Sequence, residues 1–412
     1  MKKYSLLIVL AVIHFINLNA QGTWTNYTTN DGLADNCVKA ICEDNSGNIW
    51  FGTLNGVSKY DGSDWTTYTT VDGLAFNEVL SIFKDSHENI WFGTFGSGAS
   101  KYDGSTWTTY FSNVGLGAYV YSFFEDSISN IWIGTSAGVT IFDGVNWNTW
   151  NTQNSGLVDY WIRSVIVDKQ GNMWAATQGY GVSKFNISDS LWTTYTTSNG
   201  LANNTVWKIF QDSNNNIWFG TYNGISMFNG STWTNYTTTS GLIGNDVRAI
   251  IEDENNNLWF ASYYDWYNNN GGVSEFNGTN WTTYTTAEGL VENGTQAIFE
   301  DSHGNIWIGT NQGVSKYTPE SLRIKKNNKS DPDFYSVFPN PAEKYININF
   351  NELFDKELFL EIISVDGKRI FSKKYTPANL SLKIDISDYS SGMYFLNVKS
   401  DDKISIKQFY KY

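Results

Sequence analysis

Beyond residue 20, few side chains in this 412-residue chain are equipped for acid–base or ligand chemistry. Two histidines, His87 and His303, occupy the same place in the segments DSHEN and DSHGN. A hydrolase or lyase needs a positioned acid, base or metal, whereas a side chain in a tight turn is satisfied by its own backbone. The turn reading fits both histidines. Seven aspartates recur at regular intervals: Asp44, Asp85, Asp126, Asp168, Asp212, Asp253 and Asp301. A calcium loop needs several oxygen ligands converging at about 2.3–2.6 Å. Here one Asp per interval is followed mostly by Ser, Asn and Gly, the composition of a hydrogen-bonded turn. No metal or cofactor is expected. The only arginines between residues 22 and 320 are Arg163 and Arg248, one short of a sialidase-like cluster of three that clamps a carboxylate. Cys37 and Cys42, five residues apart in one expected strand, are separated by about 16 Å at a rise of ~3.3 Å. That is beyond disulfide reach, so both read as small buried apolar residues.

These groups are positioned by a repeat. A Trp opening a W-T-x-Y-like segment stands at 24, 65, 107, 147, 192, 233 and 281. A second, in N-I-W-F-G-T-like segments, stands at 50, 91, 132, 174, 218, 259 and 307. Together they make up 14 of the 18 tryptophans at spacings of 40 to 48, which is a strong periodic signal. Each unit contains four strand candidates, typified by Val38–Asp44, Asn48–Thr53, Gly56–Tyr60 and Trp65–Thr70. They are rich in β-branched and aromatic residues and bounded by Gly, Asn and Asp. Junctions such as YDGSDW and FNGSTW supply the positive φ of a hairpin turn. Four antiparallel strands per ~42 residues make a propeller blade, so the predicted fold class is all-β, a seven-bladed β-propeller. Seven sets of the first three strands run from Val38 to Tyr317, but the seventh W-T-x-Y strand is missing after them. The one left over is the opening one at Trp24. The count balances only if residues 23–28 close the last blade, leaving no open edge.

In a blade, the fourth-to-first and second-to-third connections share one face and surround the central mouth. There the copies disagree. Tyr119, Tyr121, Tyr160, Trp161, Arg163, Trp207, Asp246 and Arg248 lie just before or at the start of first strands. Tyr263, Tyr264, Trp266 and Tyr267 lie in the blade-six insertion YYDWYNNNGG. All belong to blades three to six. Aromatic platforms with a few polar groups suit apolar sugar faces or peptides. The same rings could instead plug the channel or pad irregular loops. A second class of function is a polysaccharide lyase or hydrolase using Asp246, Asp265 or tyrosines, which would require paired carboxylates facing one cavity. Residues 22–320 hold 10 Lys+Arg and 29 Asp+Glu, a balance of −19, while residues 321–412 hold 15 and 12, a balance of +3. The acidic body argues against nucleic acid and anionic lipid as partners, and disfavours strongly acidic polysaccharides.

The run NDGLADNCVKAICEDNSGNIWFGTLNGVSKY resembles the two-component regulator propeller repeat. That pattern places G-L before a V-x-x-I-x-E-D strand, followed by G-x-I-W-x-G-T and G-x-S. The resemblance covers residues 22–320 in seven copies and implies the propeller fold. In that family the repeats commonly form the extracytoplasmic sensor of hybrid histidine kinases, often responding to glycans. It therefore also implies an alternative role as the extracellular partner of a two-component sensor. The last 79 residues resume strand-like alternation in YININF, LFLEIISVDGKRIFSKKY, LKIDISDY and MYFLNVKS, which suggests a small antiparallel β-sandwich. This tail resembles the type IX secretion system C-terminal sorting domain. The match runs through Val337-Phe338-Pro339-Asn340-Pro341, Val365-Asp366-Gly367-Lys368 and Gly392-Met393-Tyr394. It departs at Tyr389, where the family usually has leucine. The resemblance implies the type IX secretion machinery as a partner of residues 334–412.

The expected order is thus a signal peptide over 1–20, with Lys2 and Lys3 before the apolar run Leu6 to Ile16. A propeller over 22–318, a polar basic linker over 319–333 and the sorting sandwich over 334–412 follow. The expected product is a monomeric, exported, non-catalytic binding module for a glycan or peptide.

Overall fold

The computed structural model describes residues 22–111, 115–264, 270–319, 335–351, 358–364, 369–376, 380–399 and 404–412. The expected signal peptide and all of the linker beyond residue 319 lie outside the described residues, as do Asp265, Trp266, Tyr267 and Val365 to Lys368. The chain divides into two compact units, Met1–Glu320 and Ser321–Tyr412.

The first unit is a ring of seven four-stranded antiparallel sheets. Blade one comprises Val38–Glu43, Ile49–Thr53, Gly56–Tyr60 and Trp65–Tyr68, from the innermost strand outwards. The other inner strands are Val79–Lys84, Val120–Glu125, Ile162–Val167, Val206–Gln211, Asp246–Glu252 and Thr295–Glu300. Each inner strand touches the inner strands of both neighbours, and blade seven touches blade one, so the ring is closed. Cores form between blades rather than within them. Between blades seven and one, for example, Trp307, Val314 and Ala297 pack with Val38, Ile49 and Phe51. The glycine of W-F-G-T permits this approach. A Cβ on Gly309 would lie 2.9 Å from Val38 Cγ1, and one on Gly52 would lie 2.8 Å from Val79 Cγ1.

Thr23–Tyr27 completes the last blade by pairing antiparallel with Val314–Thr318. Its side chains join three blades. The Trp24 ring lies 4.7 Å from Tyr317 of blade seven and 5.8 Å from Tyr284 of blade six. Tyr27 lies 5.8 Å from Trp307 and 5.6 Å from Trp65 of blade one. The expected closure by residues 23–28 is therefore the observed one.

The recurring aspartates hold the turns between first and second strands. In blade one, Asp44 Oδ1 accepts the backbone N–H groups of Ser46 and Asn48 at 2.9 and 3.0 Å. Its Oδ2 accepts Asn48 Nδ2 and the indole Nε1 of Trp50, both at 2.8 Å. Burial by itself would raise the carboxyl pKa, but these donors outweigh it and hold Asp44, Asp126 and Asp301 below the ordinary aspartate value. Cys37 and Cys42 are both free and buried, and burial pushes the Cys42 thiol up to about 12.

The second unit has a three-stranded and a four-stranded antiparallel sheet. Both contribute to one core, including Ile346, Ile348, Leu360, Leu396 and Phe409. Asn340 of the P-N-P motif fastens the final strand, donating Nδ2 to Gln408 O at 3.1 Å and accepting Tyr410 N at 2.9 Å. Tyr389 packs against the core with its ring 5.4 Å from Tyr394, filling the usual leucine position.

Deleting residues 22–30 should remove on the order of 5 kcal/mol from Trp24 and Tyr27 burial. At ~2 °C per kcal/mol for a unit of this size, the melting temperature should fall by about 10 °C. A calorimetric melt matching the parent would contradict the closure. Asp301→Asn should destabilise at pH 7, and its deficit should narrow as pH falls. The lowered carboxyl contributes stability that is complete above about pH 5 and disappears as the folded group protonates. Urea titrations at pH 7 and pH 3 check the convergence.

Candidate functional site

Every inner strand contains one irregularity. Its pairing with the second strand shifts register around the strand's second hydrophobic-pattern position. This affects Lys39, Leu80, Tyr121, Arg163, Trp207, Arg248 and Gln296. A bulge bends the strand and re-aims the extra side chain. All seven bulged residues line a single cavity of about 810 Å³ enclosed by the inner strands. The backbone device is common to every blade, whereas the side chain it presents differs.

Rings and guanidinium groups alternate along blades three to six. Arg163 Cζ lies 4.1 Å from the Tyr121 ring centre and 5.4 Å from that of Trp207. Arg248 Cζ lies 4.1 Å from Trp207 and 5.1 Å from Tyr263. Each cation is thus held against aromatic faces. Tyr263 stacks on Tyr264 at 4.8 Å. At the other end Trp161 lies 6.1 Å from Tyr121 and 5.9 Å from Tyr119, which stacks on Phe95 at 4.4 Å. The polar rim continues through Asn311, whose Nδ2 donates to Tyr263 OH at 3.2 Å and whose Oδ1 accepts Gln296 Nε2. Gln296 Oε1 accepts Lys39 Nζ at 2.6 Å. Leu80 supplies the apolar sector in blade two.

The two arginines have different partners. Asp246 is buried and accepts Arg248 Nε at 2.9 Å and Nη2 at 2.6 Å, which fixes the guanidinium over Trp207. Arg163 instead donates through Nε, at 3.0 Å, and Nη2 to the neutral Gln178 amide oxygen. Burial, with the Arg248 charge nearby, draws the Arg163 guanidinium below its usual pKa against the opposing effect of Tyr121. Burial pushes the Tyr121 phenol up. Tyr121 OH and Trp207 Nε1 are buried and have no hydrogen-bond partner among the described residues. Such atoms are points where a ligand or an ordered water gains a bond.

Tyr160 lies apart from these residues. With Asp159, Trp161, Gln178 and Tyr180 it lines a side cleft of about 330 Å³ that shares Trp161 with the larger cavity. Gln178 and Tyr180 escaped the sequence reading, although the blade-four connection T-Q-G-Y-G is one residue longer than the T-L-N-G and T-Y-N-G of blades one and five. So did Lys208, which lines the cavity where the six other blades have Ala or Ser. The carboxylates lining the cavity among the described residues are Glu43 and Glu78. Glu43 lies at the far end of its strand, bonded to Ser302 N and Oγ at 2.8 and 2.7 Å, while Glu78 precedes the start of its own. His87 and His303 lie in the turns after inner strands, where their backbone N–H groups bond Asp85 and Asp301 at 3.0 and 2.9 Å.

Residues 32–55, 73–96, 156–179, 200–223, 241–264 and 289–312 match the family described as two component regulator propeller. Residues 336–411 match the secretion system C-terminal sorting domain. No curated protein matches the chain in sequence. Among solved structures, the chain is similar to a B. thetaiotaomicron extracellular domain, BT3049, attributed to a hybrid two component system. The identity is 22%, the TM-score 0.66, and the match covers 95% of this chain and 57% of that one. A second such domain, BT4673, gives 16% identity and a TM-score of 0.61 over 95% and 60% of the two chains. This chain therefore spans less than two thirds of either structure. A streptogramin B lyase matches at 14% identity and a TM-score of 0.59, over 73% of this chain and 98% of that one. At these identities the likeness is one of fold.

Asp246→Asn should loosen Arg248 and cost about 1–2 kcal/mol, less than a fully buried pair because the arginine side is partly solvated. Urea unfolding measures the loss. An unchanged midpoint would mean that the pair does not hold the mouth together.

Proposed function

Because this chain joins two-component regulator propeller repeats to a type IX secretion sorting domain, we propose that it is a recognition module that binds carbohydrate at the mouth of blades three to six without transforming it. Its display at the cell surface or outside follows from the sorting domain. The observation that carries the binding reading is that the aromatic rings border a cavity of about 810 Å³ and do not fill it. Trp161 is common to that cavity and to the side cleft, where Tyr160 and Tyr180 are 50% and 59% exposed. Flat, rigid rings lose little entropy on binding and fit the C–H faces of sugars. The amides of Gln178 and Gln296 and the unpartnered Tyr121 OH can meet hydroxyl groups. Among the described residues, non-catalytic binding is supported by the placement of Glu43 and Glu78 towards opposite ends of the inner strands, where they form no acid–base pair across one bond, and by the engagement of Asp246 with Arg248.

On an array of neutral and charged oligosaccharides, Trp161→Ala and Trp207→Ala should each weaken retention by at least about tenfold, as expected for aromatic hot spots. Near-parental circular dichroism would establish that the variants fold. Retention equal to the parent in both would sink the site. Removing residues 334–412 should leave the propeller on the periplasmic side; fractionation that still finds it outside would show export independent of the tail.

A further inference from the structure

The cations of the propeller are not spread over its surface. Of the ten Lys and Arg between residues 22 and 320, five line the central cavity: Lys39, Lys84, Arg163, Lys208 and Arg248. Four others lie over second-strand tryptophans. Lys59, Lys101, Lys184 and Lys316 have their Nζ atoms 4.9–5.7 Å from the ring centres of Trp50, Trp91, Trp174 and Trp307. A body of net charge −19 therefore carries a locally basic cavity whose only lining carboxylates among the described residues are Glu43 and Glu78.

Three of the five cavity cations have acceptors that account for them. Arg248 is paired with Asp246, Lys39 donates to Gln296, and Lys84 Nζ donates to Asn45 at 2.7 Å. Arg163 has the neutral Gln178 oxygen as its only hydrogen-bond acceptor among the described residues. Lys208 has no hydrogen bond or ion pair among the described residues. It stands opposite Gly220 at the strand position held by Ala40, Ser81, Ser122, Ser164, Ala249 and Ala297 in the other blades. A half-buried lysine there lines the cavity with its charge unpaired. Burial accordingly lowers its pKa.

We infer that the cavity is built to receive one carboxylate, and that the carbohydrate it recognises carries a uronic acid there. This rests on the carbohydrate reading above. Arg163 is held between Tyr121 and Trp207 with its Nε–Nη2 edge on Gln178 Oε1, which leaves the Nη1–Nη2 edge of the guanidinium to meet a carboxylate. Lys208 adds a second, uncompensated positive charge to the same cavity. The adjoining Tyr121 and Trp207 rings carry the unpartnered OH and N–H that a sugar's hydroxyl groups can meet. A uronic acid residue presents the charge and the apolar ring face together. A long polyanion is opposed by the acidic exterior, which restricts the ligand to a single acidic residue on an otherwise neutral chain.

The probes are uronic-acid-terminated oligosaccharides, the same oligosaccharides with the carboxyl group reduced to the alcohol, and a peptide with either a free or an amidated C-terminus. The parent protein should bind the acidic sugars at least about tenfold more tightly than their reduced counterparts, by calorimetric titration. Lys208→Ala copies the residue type of the other blades, so it should fold, melt no lower than the parent, and lose most of that preference. Arg163→Gln should lose it as well. Binding of both sugar forms with equal affinity would overturn the carboxylate inference and leave the carbohydrate reading intact. Binding of neither sugar form would overturn both. Capture of the free-carboxylate peptide in preference to the acidic sugars would assign the cavity to peptides and overturn the uronic acid.

Discussion

Every blade depends on one carboxylate. The aspartate that ends the inner strand accepts the indole N–H of the second-strand tryptophan at 2.7–2.8 Å in all seven copies. An indole buried in an interblade core needs a partner for its one donor, and a carboxylate next to that core needs donors to offset lost hydration. Each group removes the other's penalty. The same aspartate closes the turn through the asparagine four residues on, whose backbone N–H it accepts at 2.8–3.0 Å. Turn geometry and tryptophan orientation are therefore one interaction. With the indole edge fixed, its ring packs against the neighbouring sheet, as Trp50 does against Phe92 at 5.7 Å, and that packing holds the ring of blades together.

Cohesion of this kind lies on the outer side of the inner strands, which leaves their channel side free to vary. The bulge at each inner strand then turns one variable side chain into the cavity without disturbing the ladder that follows it. Blades with nearly identical strands can thus present Lys39, Leu80, Tyr121, Arg163, Trp207, Arg248 and Gln296 around one opening. The local contacts explain why blades three to six form a continuous group. Arg163 lies between the bulged Tyr121 and Trp207, whereas Arg248 lies between the bulged Trp207 and Tyr263 at the end of its own blade's second strand.

The repeat period, the four-strand blade and the closing strand at Trp24 were legible because they depend on spacing and on counting strands, both one-dimensional properties. The aromatic departures were legible for the same reason. The bulge was not, since V-K-A-I and V-Y-S-F alternate like any regular strand. Without it, the sequence could not distinguish Asp246, which turns to Arg248, from residues directed at the cavity. Nor could it pair Asp44 with Trp50, because a contact across six residues at a turn leaves no periodic trace. Gln178 and Lys208 are single polar substitutions in otherwise ordinary repeats, and only their shared cavity makes them conspicuous. Tyr160 precedes an inner strand as Trp161 does but lies in a side cleft, with Trp161 lining both spaces.

Net charge was the weakest guide of all. A balance of −19 over residues 22–320 describes the field at a distance, but at physiological salt that field decays over about 8 Å. Inside the cavity the potential is set by what lines the wall, and half of the propeller's cations are there. The acidic exterior and the basic interior are compatible because they act at different ranges. The exterior repels a polyanion before contact, while the interior stabilises a single charge once it has arrived.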